Sequence, residues 1–478
     1  MKYQRRLVLP LLAVMLVLLT SCGSSDTPSA TDTSSLVSAI KGPNFNGIES
    51  VDKALLAAGA DQLTVSSSLG GYDTISNAVS LGAVTVLPSY TIWGLIKTAW
   101  NSSGLMLHLF SVDIDEYKIT YKADDSAEAK NLTGALFYPN NLFYYPKGIL
   151  LFTHPTETER RYSPSVFDPW YDGTFTKPFA WLFAALGYAV VVPDYPGLGD
   201  NYETHPYCLT SLGKTSAAMV KAVKKINSLG LSDKKVSIIG FSEGGYAALA
   251  SAYYMRHYPG DYTIDKVMAL SGPYDLKGAM KTLMVTADAA FPAPYFLPYV
   301  INGYHVAYPG IDYLAFNKAV VATPVVDGRD FNTRLQELLY GAYSGSAISS
   351  LMTTVVPAGQ QKIYNGPISI TSLNFQNELK NNPDSAINAA LKENTLARDD
   401  WFPDQNVKFF FAHYEGDDCV PYGNTEAITT YWGKYTNVKI MKLTDTKPLT
   451  KEDTGTTHAA SIVKEYIEGM KFLVGITN

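Results

Sequence analysis

The chain has 478 residues, a formal net charge of −6, 46% apolar residues and 17% charged residues. That apolar share excludes a disordered chain, and the absence of any long basic run excludes a nucleic-acid partner. At this length the expectation is one large domain with an insertion, or two domains.

The first stretch, "MKYQRRLVLPLLAVMLVLLTSC", places Lys2, Arg5 and Arg6 before an apolar run from Leu7 to Leu19. The run is shorter than the roughly 20 residues needed to span a bilayer. "LTSC" resembles the lipobox of bacterial lipoproteins, which implies a signal peptide over 1–21 and acyl chains on Cys22. Several acyl chains are enough for stable membrane anchoring. "GSSDTPSATDTSS" follows, small and polar, so 22–35 reads as a flexible tether. Residues 36–110 are apolar but irregular, and Pro88 and Gly94 interrupt their longest run; no role follows for them.

From about 111 the pattern becomes regular. "IDEYKITYKA" and "LTGALFYP" read as a hairpin, with "KADDSAEAKN" as its turn rather than a calcium loop. "GILLFTH" and "YAVVVPD" are short buried strands, with a helix "KPFAWLFAALG" between them ending at Gly187. "SLGKTSAAMVKAVKKINSLG" is a helix with lysines toward its C-terminal half, where they suit the dipole. "KVSIIGF", "DKVMALSG", "VKFFFAHYEG" and "NVKIMKL" complete six buried strands, and a helix over about 458–473 closes the chain. Unbroken apolar strands alternating with helices specify a mostly parallel sheet covered on both faces, a three-layer α/β architecture.

The rhythm breaks over 277–400. "FPAPYFLPYVINGYHVAYPG" is rich in Tyr, Phe and Pro, and "TRLQELLYGAY" and "DSAINAALKENT" read as helical. An insertion after the fourth parallel strand lies over the carboxyl edge of the sheet, where α/β sites form, so it reads as a mainly helical cap. The domain plan is therefore a first core part over 111–276, the cap over 277–400 and a second core part over 401–478.

"GFSEGG" fits G-x-S-x-G, with the strand "VSII" before it and the helix-forming "GGYAALASAYYMRHY" after it. A serine in so tight a strand-to-helix turn leaves no room for side chains two positions away, hence glycine at 240 and 244. A serine hydroxyl needs a base, and the base needs an orienting acid. In this architecture the acid and then the imidazole follow the serine in the chain. Of the seven histidines, His108, His154 and His205 precede Ser242, and His257 is too near it. His305 lies in the cap and His413 at the end of a buried strand. His458 remains, presented by a mobile "EDTGTT" loop. The acid follows the fifth parallel strand, where Asp417 and Asp418 both stand, with Asp275 in "SGPYDL" as the fallback. The oxyanion needs two backbone N–H donors. Glu243 is one; the loop after "GILLFTH" supplies the other, from Thr156 or in reserve Glu157, because Pro155 has no N–H.

"HPTETER", "VVVPDYPGLGDN", "GFSEGGYAA", "SGPYDL", "HYEGDDCVP" and "TTHAAS" together resemble the α/β-hydrolase superfamily, most closely secreted lipases and esterases with a large cap. The resemblance covers 111–276 and 401–478. It implies the α/β-hydrolase fold and ester hydrolysis through an acyl-enzyme. In such enzymes a stretch His-Gly-x-x-Asp-x-x-Val-Pro ends the fifth strand; His413, Asp417, Val420 and Pro421 match it and Tyr414 departs from it. The pattern selects Asp417 over Asp418. Related enzymes often carry His-Gly where this chain has His154-Pro155.

The expected partners are an apolar or aromatic ester and, through Cys22, a membrane of the bacterial cell envelope. No cofactor or metal motif is present. A serine peptidase of the same superfamily is the second reading, with Glu157, Glu159, Arg160 and Arg161 as the anchor for a peptide terminus. A surface-anchored binding protein is the third, disfavoured because no triad member is missing. Cys208 and Cys419, both in loops after strands, are open to either a disulfide or two free thiols.

Overall fold

Three runs, β4 (Gly148–Thr153), β5 (Tyr188–Pro193) and β6 (Val236–Phe241), are buried nearly end to end. Unbroken apolar sequence demands this of strands covered on both faces. The computed structural model describes residues 36–46, 113–124, 129–140, 145–166, 176–258, 262–286, 291–311, 337–353, 371–401 and 404–476. The signal expected over 1–21, the tether expected over 22–35 with Cys22, residues 47–112 with His108, and the tip of the "KADDSAEAKN" turn lie outside them.

Among the described residues nine strands form one sheet. The others are β1 (Leu36–Asn46), β2 (Asp113–Lys122), β3 (Asn131–Asn140), β7 (Ile264–Leu270), β8 (Lys408–Tyr414) and β9 (Val438–Leu443). Their order is β1-β2-β3-β5-β4-β6-β7-β8-β9. β1, β2 and β3 are antiparallel, and the six strands from β5 to β9 in that order run parallel. The protein has the α/β-hydrolase fold. β1 is an addition to the expected plan: it pairs with β2 and carries a register shift between Lys41 and Asn44, where Gly42 and Pro43 stand.

The chain runs from β4 outward to β5, then returns to lay β6 on the other side of β4. Loops leaving β4 and β6 therefore diverge, at the kind of switch point where α/β sheets form sites. The strand ends are level: Thr153 pairs with Gly240, Phe241 with Leu270, and Leu270 with Ala412.

Helices α1 (Thr176–Ala185), α2 (Ser211–Lys224) and α3 (Glu243–His257) follow β4, β5 and β6. α1 ends at Gly187, whose φ of +93° suits only glycine at low cost. α1 packs on one face of the sheet, with Phe183 edge-on to Phe152; α2 and α3 cover the other face.

Within the insertion, the described residues form α4 (Lys281–Thr286), α5 (Phe296–Ala307), α6 (Gly345–Thr353), α7 (Leu373–Asn381) and α8 (Ala386–Asn394). Of the helix expected over 333–343, residues 333–336 lie outside the described residues, Glu337 and Leu338 are helical, and the helix ends there rather than running on to 343. Gly341 turns the chain at φ +82°, and its carbonyl accepts the Arg160 N–H at 2.8 Å. That contact, with a bridge from Glu159 to Ala342, draws the segment onto the loop after β4.

The core closes with α9 (Gly423–Trp432), the short α10 (Lys451–Thr454) and α11 (Thr457–Val474). α11 begins at Thr456, whose side chain accepts the Ala459 N–H, and ends at Gly475 with φ +83°. It shares the α1 face of the sheet. No helix among the described residues is long and apolar enough to cross a membrane.

Candidate active site

Ser242 joins β6 to α3 with φ 61° and ψ −124°, a conformation that costs an L-residue on the order of 1–3 kcal/mol. Its N–H donates to Leu270 O at 2.9 Å, and its carbonyl accepts from the Tyr246 N–H at 3.0 Å. The flanking glycines have a steric cause. A Cβ on Gly240 would stand 2.2 Å from Gly244 O, and one on Gly244 would stand 2.1 Å from Thr153 O. Ser242 occupies the N-cap position of α3, where a serine hydroxyl ordinarily bonds the helix backbone. Here it makes no capping bond.

The hydroxyl is engaged elsewhere. Ser242 Oγ lies 2.7 Å from Nε2 of His458, and Nδ1 of that imidazole lies 2.6 Å from Oδ2 of Asp417. With Nδ1–H donating to the carboxylate, Nε2 is left to accept the serine proton. All three side chains are buried, that of Asp417 completely.

Asp417 is aimed by its own turn, for its Oδ1 accepts the N–H groups of Cys419 and Val420 at 2.9 and 2.8 Å. Burial opposes its charge, but His458 and His413 outweigh that and hold the carboxyl well below the usual range. Asp418 faces away. Its Oδ2 meets Lys451 at 2.8 Å, and its Oδ1 accepts the backbone N–H of His458 at 3.3 Å. Asp275 caps the turn after β7, accepting from the N–H groups of Gly278 and Ala279. His413 has Nδ1 on Thr425 Oγ1, while its Nε2 lies 2.9 Å from the Val420 carbonyl and 3.3 Å from Oδ2 of Asp417.

His458 does not sit in a mobile loop, which corrects the expectation. It is the second residue of α11, and the preceding segment is pinned where Thr457 Oγ1 donates to Gly416 O at 2.7 Å. The imidazole stacks on Phe241, centroids 4.7 Å apart.

Glu243 opens α3, where unpaired N–H groups and the dipole favour negative charge. Its side chain is fully buried, with Oε1 2.5 Å from Nε2 of His205. Burial disfavours the His205 imidazolium, but the Glu243 carboxylate and the Pro196 carbonyl outweigh it, so the pKa is raised. Thr156 lies in the loop after β4, its Oγ1 2.9 Å from the Tyr207 hydroxyl. Glu157 Oε1 accepts the N–H groups of Thr158 and Glu159. Arg161 bridges to Glu159, and Arg160 lies over the Tyr202 ring. Glu157, Glu159 and Arg161 are therefore engaged within the loop, and Arg160 with Asn201, Tyr202 and Tyr340 outside it.

The insertion reaches this place through α5. Tyr207 packs against Phe296 and Tyr299, with ring centroids 6.2 and 5.9 Å away. Sequence reasoning missed Phe241, His205 and Tyr207, whereas Phe296 and Tyr299 fall in the cap stretch it singled out as aromatic. Chain order set His205 aside as a base, and nothing local signals its pairing with a glutamate 38 positions on. Cys208 and Cys419 stand as two free, buried thiols. Among the described residues no cluster could hold a metal ion.

A family model described as "Alpha/beta hydrolase family" matches residues 162–418. Among solved structures, a protein of Legionella pneumophila assigned to the hydrolases is similar at 22% identity and a TM-score of 0.62, over 92% of this chain and 98% of its own. The rice cell wall degrading esterase LipA of Xanthomonas oryzae, in a ligand-bound form, is similar at 18% identity and a TM-score of 0.63, over 92% and 97%. Candida antarctica lipase A in its closed state follows at 16% identity and a TM-score of 0.54, over 76% and 79%. No curated protein matches.

Proposed function

The chain belongs to the alpha/beta hydrolase family, and from that premise we propose that it is a serine carboxylic ester hydrolase working through an acyl-enzyme. The observation that carries this reading is the unbroken line from Ser242 through His458 to Asp417, with contacts of 2.7 and 2.6 Å.

In this mechanism His458 Nε2 takes the Ser242 proton as Oγ attacks the ester carbonyl. Asp417 holds the imidazole in the reactive tautomer and stabilises the imidazolium. The backbone N–H groups of Glu243 and Thr156 receive the oxyanion. The proton passes to the departing alcohol, and the bond from acyl carbon to alkoxy oxygen breaks. Water, deprotonated by the same imidazole, then releases the acid and restores the serine.

The insertion acts as a cap over the site. The cluster of Tyr207, Phe296 and Tyr299 supports an apolar or aromatic ester. Acylation at Cys22 tethers the enzyme to a membrane of the cell envelope, a reading that rests on "LTSC" and the tether after it.

A fluorophosphonate probe tests the chemistry. Labelling of the wild type on Ser242, lost in Ser242→Ala together with p-nitrophenyl ester turnover, is the expected result. Esterase activity surviving in Ser242→Ala overturns the reading, and aminoacyl-nitroanilide turnover well above ester turnover reassigns the enzyme as a peptidase.

A further inference from the structure

Glu465 stands seven residues after His458 on α11, and seven residues are about two turns, so both side chains share one face of the helix. The residue is wholly buried. Its Oε1 accepts from Ser271 Oγ at 2.7 Å, and the Tyr414 N–H points at the same atom from 3.3 Å. Ser461 Oγ lies 2.8 Å from that oxygen and 2.9 Å from the carbonyl of His458. Ser271 ends β7 in a left-handed conformation, φ 41°, with its N–H on Ala412 O of β8. One acid thus touches the ends of β7 and β8 and the first turns of the helix that carries His458.

Stability alone does not account for a carboxyl group here. A buried carboxylate is costly unless fully partnered, and Oε2 of Glu465 has no hydrogen-bond partner among the described residues.

We propose that Glu465 is a positioning residue for the Ser242–His458–Asp417 line, fixing the start of α11 against the strand ends and doing so more firmly when charged. This rests on the serine-hydrolase reading above.

The groups that face the carboxyl are His413 from β8 and Asp417 from the loop after it. Tyr274 faces it from the loop after β7, and Tyr466 from its own helix. Burial raises its pKa most and Asp417 adds to that, while His413 and the hydroxyls of Ser271 and Ser461 oppose, leaving it at about 7. The group therefore changes charge within the range in which a histidine base works.

The test is kcat/KM on a p-nitrophenyl ester from about pH 5.5 to about pH 9 for the wild type, Glu465→Gln and Ser271→Ala. A glutamine stays neutral at every pH. The ratio of wild type to Glu465→Gln should rise by about three- to tenfold with increasing pH, carried by kcat rather than KM. Its midpoint should fall near the carboxyl value of about 7. Ser271→Ala removes a donor that favours the charged form, so the second ionisation in its own profile should move to higher pH. A ratio constant across pH, or a second ionisation unmoved in Ser271→Ala, overturns the proposal. If Glu465→Gln does not fold, the Ser271→Ala profile decides alone. A wild type without ester turnover, or with turnover that survives Ser242→Ala, overturns the hydrolase reading instead.

Discussion

The imidazole of His458 lies face to face with the ring of Phe241, centroids 4.7 Å apart and planes 29° from parallel. The residue before the serine thus shelves the imidazole whose Nε2 faces the serine hydroxyl. Phe241→Leu keeps an apolar residue but removes the flat support, so the imidazole gains freedom about its two side-chain torsions. We expect kcat to fall about tenfold with KM little changed, because misorientation of a base is felt in the transition state. The stability cost should stay below about 2 kcal/mol, as for other core substitutions of similar volume. Steady-state kinetics and urea unfolding on the same preparation check both.

Asp417 and Asp418 are neighbours with different partners, His458 for the first and Lys451 for the second. Asp417→Asn leaves the geometry but lets the amide donate to Nδ1, which favours the wrong tautomer. A loss in kcat of about a thousandfold or more is expected. Asp418→Asn weakens the Lys451 bridge and the bond to the His458 N–H, both partly exposed, so activity should fall less than about tenfold. Equal losses in the two variants would contradict the assignment.

Gly244 and Gly475 separate steric from conformational need. A methyl group on Gly244 meets backbone oxygen at 2.1 Å, and neither Thr153 nor α3 can retreat without opening the sheet. Gly475 has φ +83°, but a Cβ there would meet nothing within 4 Å. Gly244→Ala should therefore abolish soluble folded protein or cost more than about 4 kcal/mol, whereas Gly475→Ala should cost about 1 kcal/mol. Expression yield and thermal melts distinguish them.

Burial pushes the thiols of Cys208 and Cys419 well above their ordinary pKa, with Glu243 adding to the first and Asp417 and Asp418 to the second. Only the thiolate reacts readily. Neither cysteine should react with a disulfide reagent until the protein unfolds, and the melting temperature should be indifferent to reductant. A reductant-dependent melt would mean that the two pair.

The parallel strands were legible because they are buried on both faces, so their sequence is apolar without alternation. The serine turn was legible because its glycines answer a backbone clash. β1 was not legible: Gly42 and Pro43 interrupt it at a register shift, and its partner β2 begins far along the chain. The two adjacent aspartates are alike in residue type and were separated only by the spacing of His413, Val420 and Pro421 around Asp417; the cause, Asp417 accepting from Cys419 and Val420, is visible only in the folded turn. Glu465 carried a readable signal, a lone acid on the apolar face of the closing helix, but its meaning depends on Ser271 and Tyr414, which only the sheet brings near.

Glu465 also makes stability depend on pH in a defined direction. Its folded pKa of about 7 lies above the unfolded value of about 4.3. Between these values the folded state holds more protons than the unfolded state, so rising pH lowers the free energy of unfolding. The full penalty, on the order of 4 kcal/mol, is reached once the carboxyl is charged in both states. Glu465→Gln carries no such penalty. Asp417 has the opposite sign: its depressed pKa adds stability above the unfolded carboxylate value, lost only in strong acid, and it is common to both proteins. The difference in unfolding free energy between variant and wild type should therefore shift in favour of the variant from about pH 4.5 to about pH 8, most steeply between the two pKa values. Urea titrations at intervals across that range measure it, and a difference independent of pH would mean that the carboxyl does not change charge in the folded protein.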